Sequence, residues 1–165
     1  MILPENGAAA VALTIPMRAE YVSIARLTAA GVANRLGFDI EAIEDIKVSL
    51  SEVCNRIIST QNKAQADVGS ECKIEFIMSV DNLGVNFYVD NMESKHLFMP
   101  GADGPGGGFD GGSGVKVDID KLIDEHQDEE VYKDQLQLSL ISLLMDEFIV
   151  NPSENCLVSM RKYVE

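Results

Sequence analysis

Positive charge is scarce in this chain. Its 165 residues hold 13 Lys and Arg against 27 Asp and Glu, for a formal net charge of −14. A protein that grips a phosphate backbone needs clustered cations to displace counterions, so direct nucleic-acid binding is not expected. An acidic surface suits solubility or a basic protein partner, and charge alone does not choose between them. Long hydrophobic runs are also missing. None reaches the roughly 18 apolar residues of a membrane span. Residues 1–11 lack the basic start and continuous apolar stretch of a secretory signal. The expectation is a cytoplasmic protein with no membrane attachment. Cysteine is limited to Cys54, Cys72 and Cys156, with no CxxC pair. An odd number at wide spacing fits neither a disulfide framework nor a zinc site, which leaves buried apolar thiols. The two histidines, His96 and His126, share no metal-ligand spacing and read as surface residues. Trp is absent and aromatics make up 6% of the chain. No stripe of sugar-stacking rings accompanies Glu52 and Asp90, so reading them as a hydrolytic carboxylate pair has little to stand on.

What is present is ordinary for one globular domain. The apolar fraction is 46%, enough for a sizeable core, and the length suits a single domain over residues 1–165. Residues 9–16 (AAVALTIP) read as a strand closed by Pro16. Residues 19–36 read as a helix whose apolar and small face is Tyr21, Ile24, Ala25, Thr28, Gly31, Val32 and Leu36, stopped by Gly37. Asp39 is placed to cap the next helix, with Glu41, Glu44 and Asp45 near its positive end. Ile43, Ile46, Leu50, Val53 and Ile57 step by three and four, an amphipathic stripe running to about residues 59–61. Residues 72–80 and 85–90 read as an antiparallel hairpin turning through 81–84.

Residues 101–114 contain eight of the 13 glycines, and an acidic stretch follows to Glu130. Together residues 92–130 read as a lid and acidic insertion inside the domain, since long glycine-rich loops within compact domains tend to be functional or disordered. GGSGVK, residues 111–116, lacks the spacing of a phosphate loop. Leu136, Leu140, Leu143, Leu144 and Phe148 suggest a last helix starting near Asp134. Residues 148–150 and 156–163 are strand-like, joined through a turn signal at 151–153. Helices gathered on one face of a mixed, mostly antiparallel sheet give an α+β two-layer sandwich.

Residues 13–54, LTIPMRAEYVSIARLTAAGVANRLGFDIEAIEDIKVSLSEVC, resemble the opening of the anti-sigma-factor serine kinases. These belong to the superfamily of histidine-kinase, gyrase and Hsp90 ATPase folds. LLMDEFIV, residues 143–150, resembles the same family's final helix and strand. The resemblance implies a protein that sequesters a sigma factor and phosphorylates a serine of an anti-anti-sigma partner with Mg-ATP. It implies three nucleotide motifs. A helix supplies a Glu as general base and an Asn four residues later as a metal ligand, spaced to share one face. An Asp-x-Gly at a strand end receives the adenine. A Gly-Gly-Leu-Gly-Leu opens the last helix, where bare N–H groups take the phosphates.

This chain keeps part of that pattern. Glu52 stands where the general base belongs, but Arg56 stands where the Asn should be. An arginine cannot ligate a metal, though its charge could stand in for Mg²⁺. Asn55 is one position early, about 100° round the helix. Asp90 stands at the strand end, with Met92 in place of the Gly. Asp134, Gln135, Leu136, Gln137 and Leu138 fall on the glycine-rich motif, and Asp134 adds a charge that repels phosphate. Asn55 and Asp90 are therefore read as vestigial binding positions. No cofactor is expected, ATP and Mg²⁺ entering only if the chain is an active kinase with Glu52 as base. The expected function is an anti-sigma regulatory factor that binds a sigma factor or an anti-anti-sigma protein. The alternatives are an active Mg-ATP-dependent serine kinase, or a domain bound to some other signalling protein. The resemblance also implies a homodimer paired through residues 9–36, with Ala25, Ala29, Ala30 and Gly31 allowing close approach.

Overall fold

The computed structural model describes residues 8–63, 70–90, 92, 129–153 and 155–165. Five strands form one antiparallel sheet: β1 (Ala9–Pro16), β2 (Glu71–Met78), β3 (Asn82–Val89), β4 (Glu147–Ser153) and β5 (Cys156–Tyr163), in the order β1-β2-β3-β5-β4. Three helices among the described residues accompany it: α1 (Val22–Leu36), α2 (Ile40–Lys63) and α3 (Glu129–Leu144). The architecture is the expected α+β two-layer sandwich, and every described strand pairing is antiparallel.

Local chemistry explains the first half well. A short 3-10 turn, Ala19–Tyr21, leads into α1, so the α-helix proper starts three residues later than the pattern suggests. Gly37 ends α1 at φ 85°, a left-handed conformation that a Cβ disfavours. The Phe38 N–H then donates to the Ala33 carbonyl at 3.2 Å while the Phe38 ring is buried, the closing contact of a Schellman-type stop. Asp39 caps α2 as expected, its Oδ1 accepting from the Ala42 N–H at 2.8 Å and its carbonyl from the Ile43 N–H at 3.0 Å. α2 continues to Lys63, past the expected stop.

The core lies between the sheet and the helices. Ile46, Leu50, Val53 and Ile57 of α2 meet Ile74 and Phe76 of β2 and Phe87 of β3, all fully buried. Each large aliphatic side chain removed from water contributes about 1.5–3 kcal/mol, which makes this seam the main source of cohesion.

Several boundaries move. The hairpin turns at residues 79–81, where the Ser79 N–H donates to the Asn82 carbonyl at 2.9 Å. Gly84 sits within β3 opposite Ile77 and is not a turn residue. On α1 the core face is Val22, Ala25, Ala29, Val32 and Ala33, while Ile24 is 45% exposed and Gly31 points outward. α3 begins at Glu129, five residues ahead of Asp134, and buries Leu138 and Ile141. Leu136, Leu140 and Leu143 face away at 52%, 38% and 76% exposure, and Phe148 belongs to β4. The turn signal at 151–153 is strand, with a register shift between Val150 and Ser153. Pro152 is tolerated there because β4 is an edge strand that needs no further N–H donor. The glycine-rich stretch, the acidic stretch to residue 128, His96 and His126 lie outside the described residues.

Candidate functional site

α2 carries the candidate chemistry along one flank. With its buried stripe facing the sheet, the advance of about 100° per residue sets Asp45, Ser49, Glu52 and Arg56 in one row. Asn55 falls on the crest away from the sheet. Burial agrees with that placement: Ser49 is fully buried, Glu52 and Arg56 are half-buried, and Asn55 is exposed. The flank faces α3, because Arg56 Nη1 donates to Gln137 Oε1 at 3.4 Å across the gap between the two helices. Thr60 Oγ1 donates to the Arg56 carbonyl at 2.9 Å, one turn further on. The buried Ser49 hydroxyl has no hydrogen-bond partner among the described residues.

The other two parts of the site come from β3 and α3. Asp90 is exposed immediately after β3, and Met92, half-buried, packs against the core cluster. Asp134, Gln135 and Gln137 all lie inside α3, one turn or more past its start. That position matters, since only the first turn of a helix has unpaired N–H groups to offer an anion. The N–H groups of residues 134–138 point back along α3 to carbonyls of the preceding turn.

Curated relatives match this chain over nearly all of its length. Over 163 residues it is 37% identical to serine-protein kinase RsbW of Bacillus cereus strain B4264. It is 38% identical to the protein of the same name in Bacillus cereus strain AH820 and in Bacillus anthracis. Each alignment covers 94% of this chain and 85% of the relative. The chain belongs to the RsbW family. The anti-sigma-factor kinase resemblance of residues 13–54 and 143–150 is thus borne out at the level of family. No protein-family model matches the chain.

Of the residues singled out from the sequence, Glu52 lies on α2 and Asp90 directly after β3, while Arg56 and Gln137 contact one another. Asn55 does not join them. That pairing was invisible in the sequence, because the two residues are 81 positions apart. A second node was also missed. Lys162 Nζ donates to the Leu144 carbonyl at 2.7 Å and to Asp45 Oδ2 at 3.2 Å, tying β5, α3 and α2 together. A lone Lys in a strand gives no local signal of such a role.

The thiols follow the expectation of buried apolar groups. All three cysteines are free and buried. Burial pushes Cys72 up from 9.0 to about 12 and raises Cys54 further, with the neighbouring Cys72 adding to the shift. Burial also raises Cys156. A thiol held protonated is a poor nucleophile and a poor metal ligand. No cluster of three or more His, Cys, Asp or Glu able to hold a metal occurs among the described residues. No described helix is long and apolar enough to cross a membrane.

Proposed function

We propose that this RsbW-family protein acts as an anti-sigma regulatory factor by occupancy. It binds a sigma factor or an anti-anti-sigma protein in the cytoplasm, as a homodimer and without a tightly bound nucleotide. The observation that carries the reading is the path of α3. The segment that would open a helix onto phosphates, residues 134–138, is helix interior here. Its N–H groups are engaged in the helix. Two further features point the same way. Arg56, which has no lone pair for a metal, stands where the family pattern expects a metal-binding Asn, and donates to Gln137. Met92 lies against the core where a glycine would leave room for a base.

The second reading, an active serine kinase with Glu52 as general base, is favoured by the names of the relatives, which are serine-protein kinases. It needs a metal ligand beside Glu52, and Asn55 sits on the exposed crest of α2.

Thermal unfolding with Mg-ATP separates the two. A ligand present at 100 times its Kd stabilises a protein by about 2.7 kcal/mol. Occupancy alone predicts no shift in Tm at millimolar Mg-ATP and no phosphate transfer to a serine-bearing anti-anti-sigma protein. A saturable rise in Tm that Glu52→Ala or Asp90→Ala removes would establish the kinase reading instead.

A further inference from the structure

α3 has two apolar faces. Leu138 and Ile141 go to the core, while Leu136, Leu140 and Leu143 stand away from it at 52%, 38% and 76% exposure. An advance of about 100° per residue gathers those three into one stripe. Their steps of four and three are the spacing with which one helix receives another in a coiled-coil seam. Residues 136–144 hold no Asp, Glu, Lys or Arg, in a chain that is 24% charged. A helix face that meets only water is normally charged or polar, so the stripe has the character of a contact surface.

The neighbouring helix decides what fits there. Asp45 meets Lys162 at the Leu144 end of α3, and Arg56 meets Gln137 further back, so α2 and α3 lie side by side and antiparallel. The same angular advance places Glu41, Val48 and Glu52 between the α3-facing flank of α2 and its outward crest. Glu41 is exposed and the other two are half-buried. The cations on this flank are engaged within the subunit. Arg56 donates to Gln137, and Lys162, 16% exposed, serves Asp45 and Leu144. The outward side of the pair thus offers leucine on α3 and carboxylate on α2.

We propose that the outward side of α2 and α3 docks an amphipathic helix of a basic partner, its apolar face on Leu136, Leu140 and Leu143 and its Lys or Arg side chains over Glu41 and Glu52. The inference rests on the occupancy reading and gives the partner a surface and a chemistry. Charge selects this occupant. A second copy of the chain would set its own carboxylates against these and bring another −14 with it. An anionic lipid surface is repelled for the same reason. A helix with cationic flanks is drawn in, and the leucines fix where it lies.

Fluorescence anisotropy with the full-length protein tests the surface. The probe is a dye-labelled synthetic helix with Leu at every a and d position and Lys elsewhere. A shuffled peptide of the same composition, with no apolar stripe, is the control for attraction by charge alone. The parent is expected to bind the probe at least about tenfold more tightly than the shuffled peptide. Leu136→Ser with Leu143→Ser is expected to weaken binding of the probe about tenfold, and Glu41→Gln to weaken it about threefold and flatten its salt dependence. Leu27→Ser, on α1, is expected to leave it unchanged. Leu143→Ser alone provides the measurement should the double variant fail to fold. The proposal is overturned if the shuffled peptide binds as well as the probe, or if the α3 variants stay within about twofold of the parent. It is equally overturned if the α3 variants abolish a sedimenting dimer that Leu27→Asp leaves intact, which would assign the stripe to a second copy. All of these measurements are made without nucleotide. The Mg-ATP unfolding experiment alone decides the occupancy reading, and probe affinity alone decides the docking surface.

Discussion

At the scale of single residues, burial sets the chemistry of the three thiols. Cys72 is raised by burial from 9.0 to about 12 and Cys54 is raised further. In the unfolded chain both ionise near their ordinary values. The native state therefore holds protons that the unfolded state releases. The stability they confer is complete below about pH 9 and is lost as pH climbs toward the folded values, at up to about 1.4 kcal/mol per pH unit for each thiol. Urea unfolding followed from about pH 8 to about pH 10.5 is expected to show stability falling steeply. Cys72→Ala, less stable at neutral pH because of the cavity it leaves, is expected to show a shallower fall. An identical slope in parent and variant would mean that Cys72 ionises in the native state like any exposed thiol.

At the scale of elements, the sequence was legible where a strong local signal had no competitor. The three-and-four spacing from Ile43 to Ile57 could only be one face of a helix, and Asp39 and Gly37 bracket the α1–α2 corner because their chemistry suits a cap and a left-handed stop. α3 was misread for the opposite reason. Its leucines occur in two phases, and only tertiary packing selects Leu138 and Ile141 for the core over Leu136, Leu140 and Leu143. Its early start at Glu129 was equally hidden, although it decides where the free N–H groups lie. For the candidate site, motif spacing supplied only positions, with Glu52 and Arg56 on α2 and Asp90 and Met92 after β3. The site was not legible as contacts, because Arg56 meets Gln137 and Lys162 meets Asp45 across long stretches of chain. Gly31 in α1 carries a prediction at this scale. It is exposed within the helix, and a Cβ built there meets nothing within 4 Å. Gly31→Ala is therefore expected to stabilise the isolated subunit by roughly 0.5–1 kcal/mol, through reduced backbone entropy of the unfolded chain. Urea unfolding at low protein concentration measures it. A loss of stability there would show that α1 is strained or crowded at this residue.

At the scale of the whole molecule, the proposed homodimer has to overcome its own charge. β1 is an edge of the described sheet, with one row of backbone donors and acceptors unpaired by β2. Ile24 and Leu27 stand out on α1 at 45% and 73% exposure. Ala25 and Ala29, which could have allowed a second copy to approach, are instead packed in the subunit's own core. That leaves the β1 edge, with Ile24 and Leu27, as the surface proposed for the contact. Each subunit brings a net charge of −14, so like charges oppose pairing and salt should favour it, the Debye length being about 8 Å at physiological ionic strength. Binding of a basic partner to the same acidic molecule would carry the opposite salt dependence. Sedimentation velocity at tens of micromolar is thus expected to show a species of twice 18.0 kDa. Its population should rise with added salt, and Leu27→Asp should return it to monomer with α1 still helical by circular dichroism. A single 18.0 kDa species at every salt concentration would remove the dimer, and the exposed pair on α1 would then have to serve some other contact.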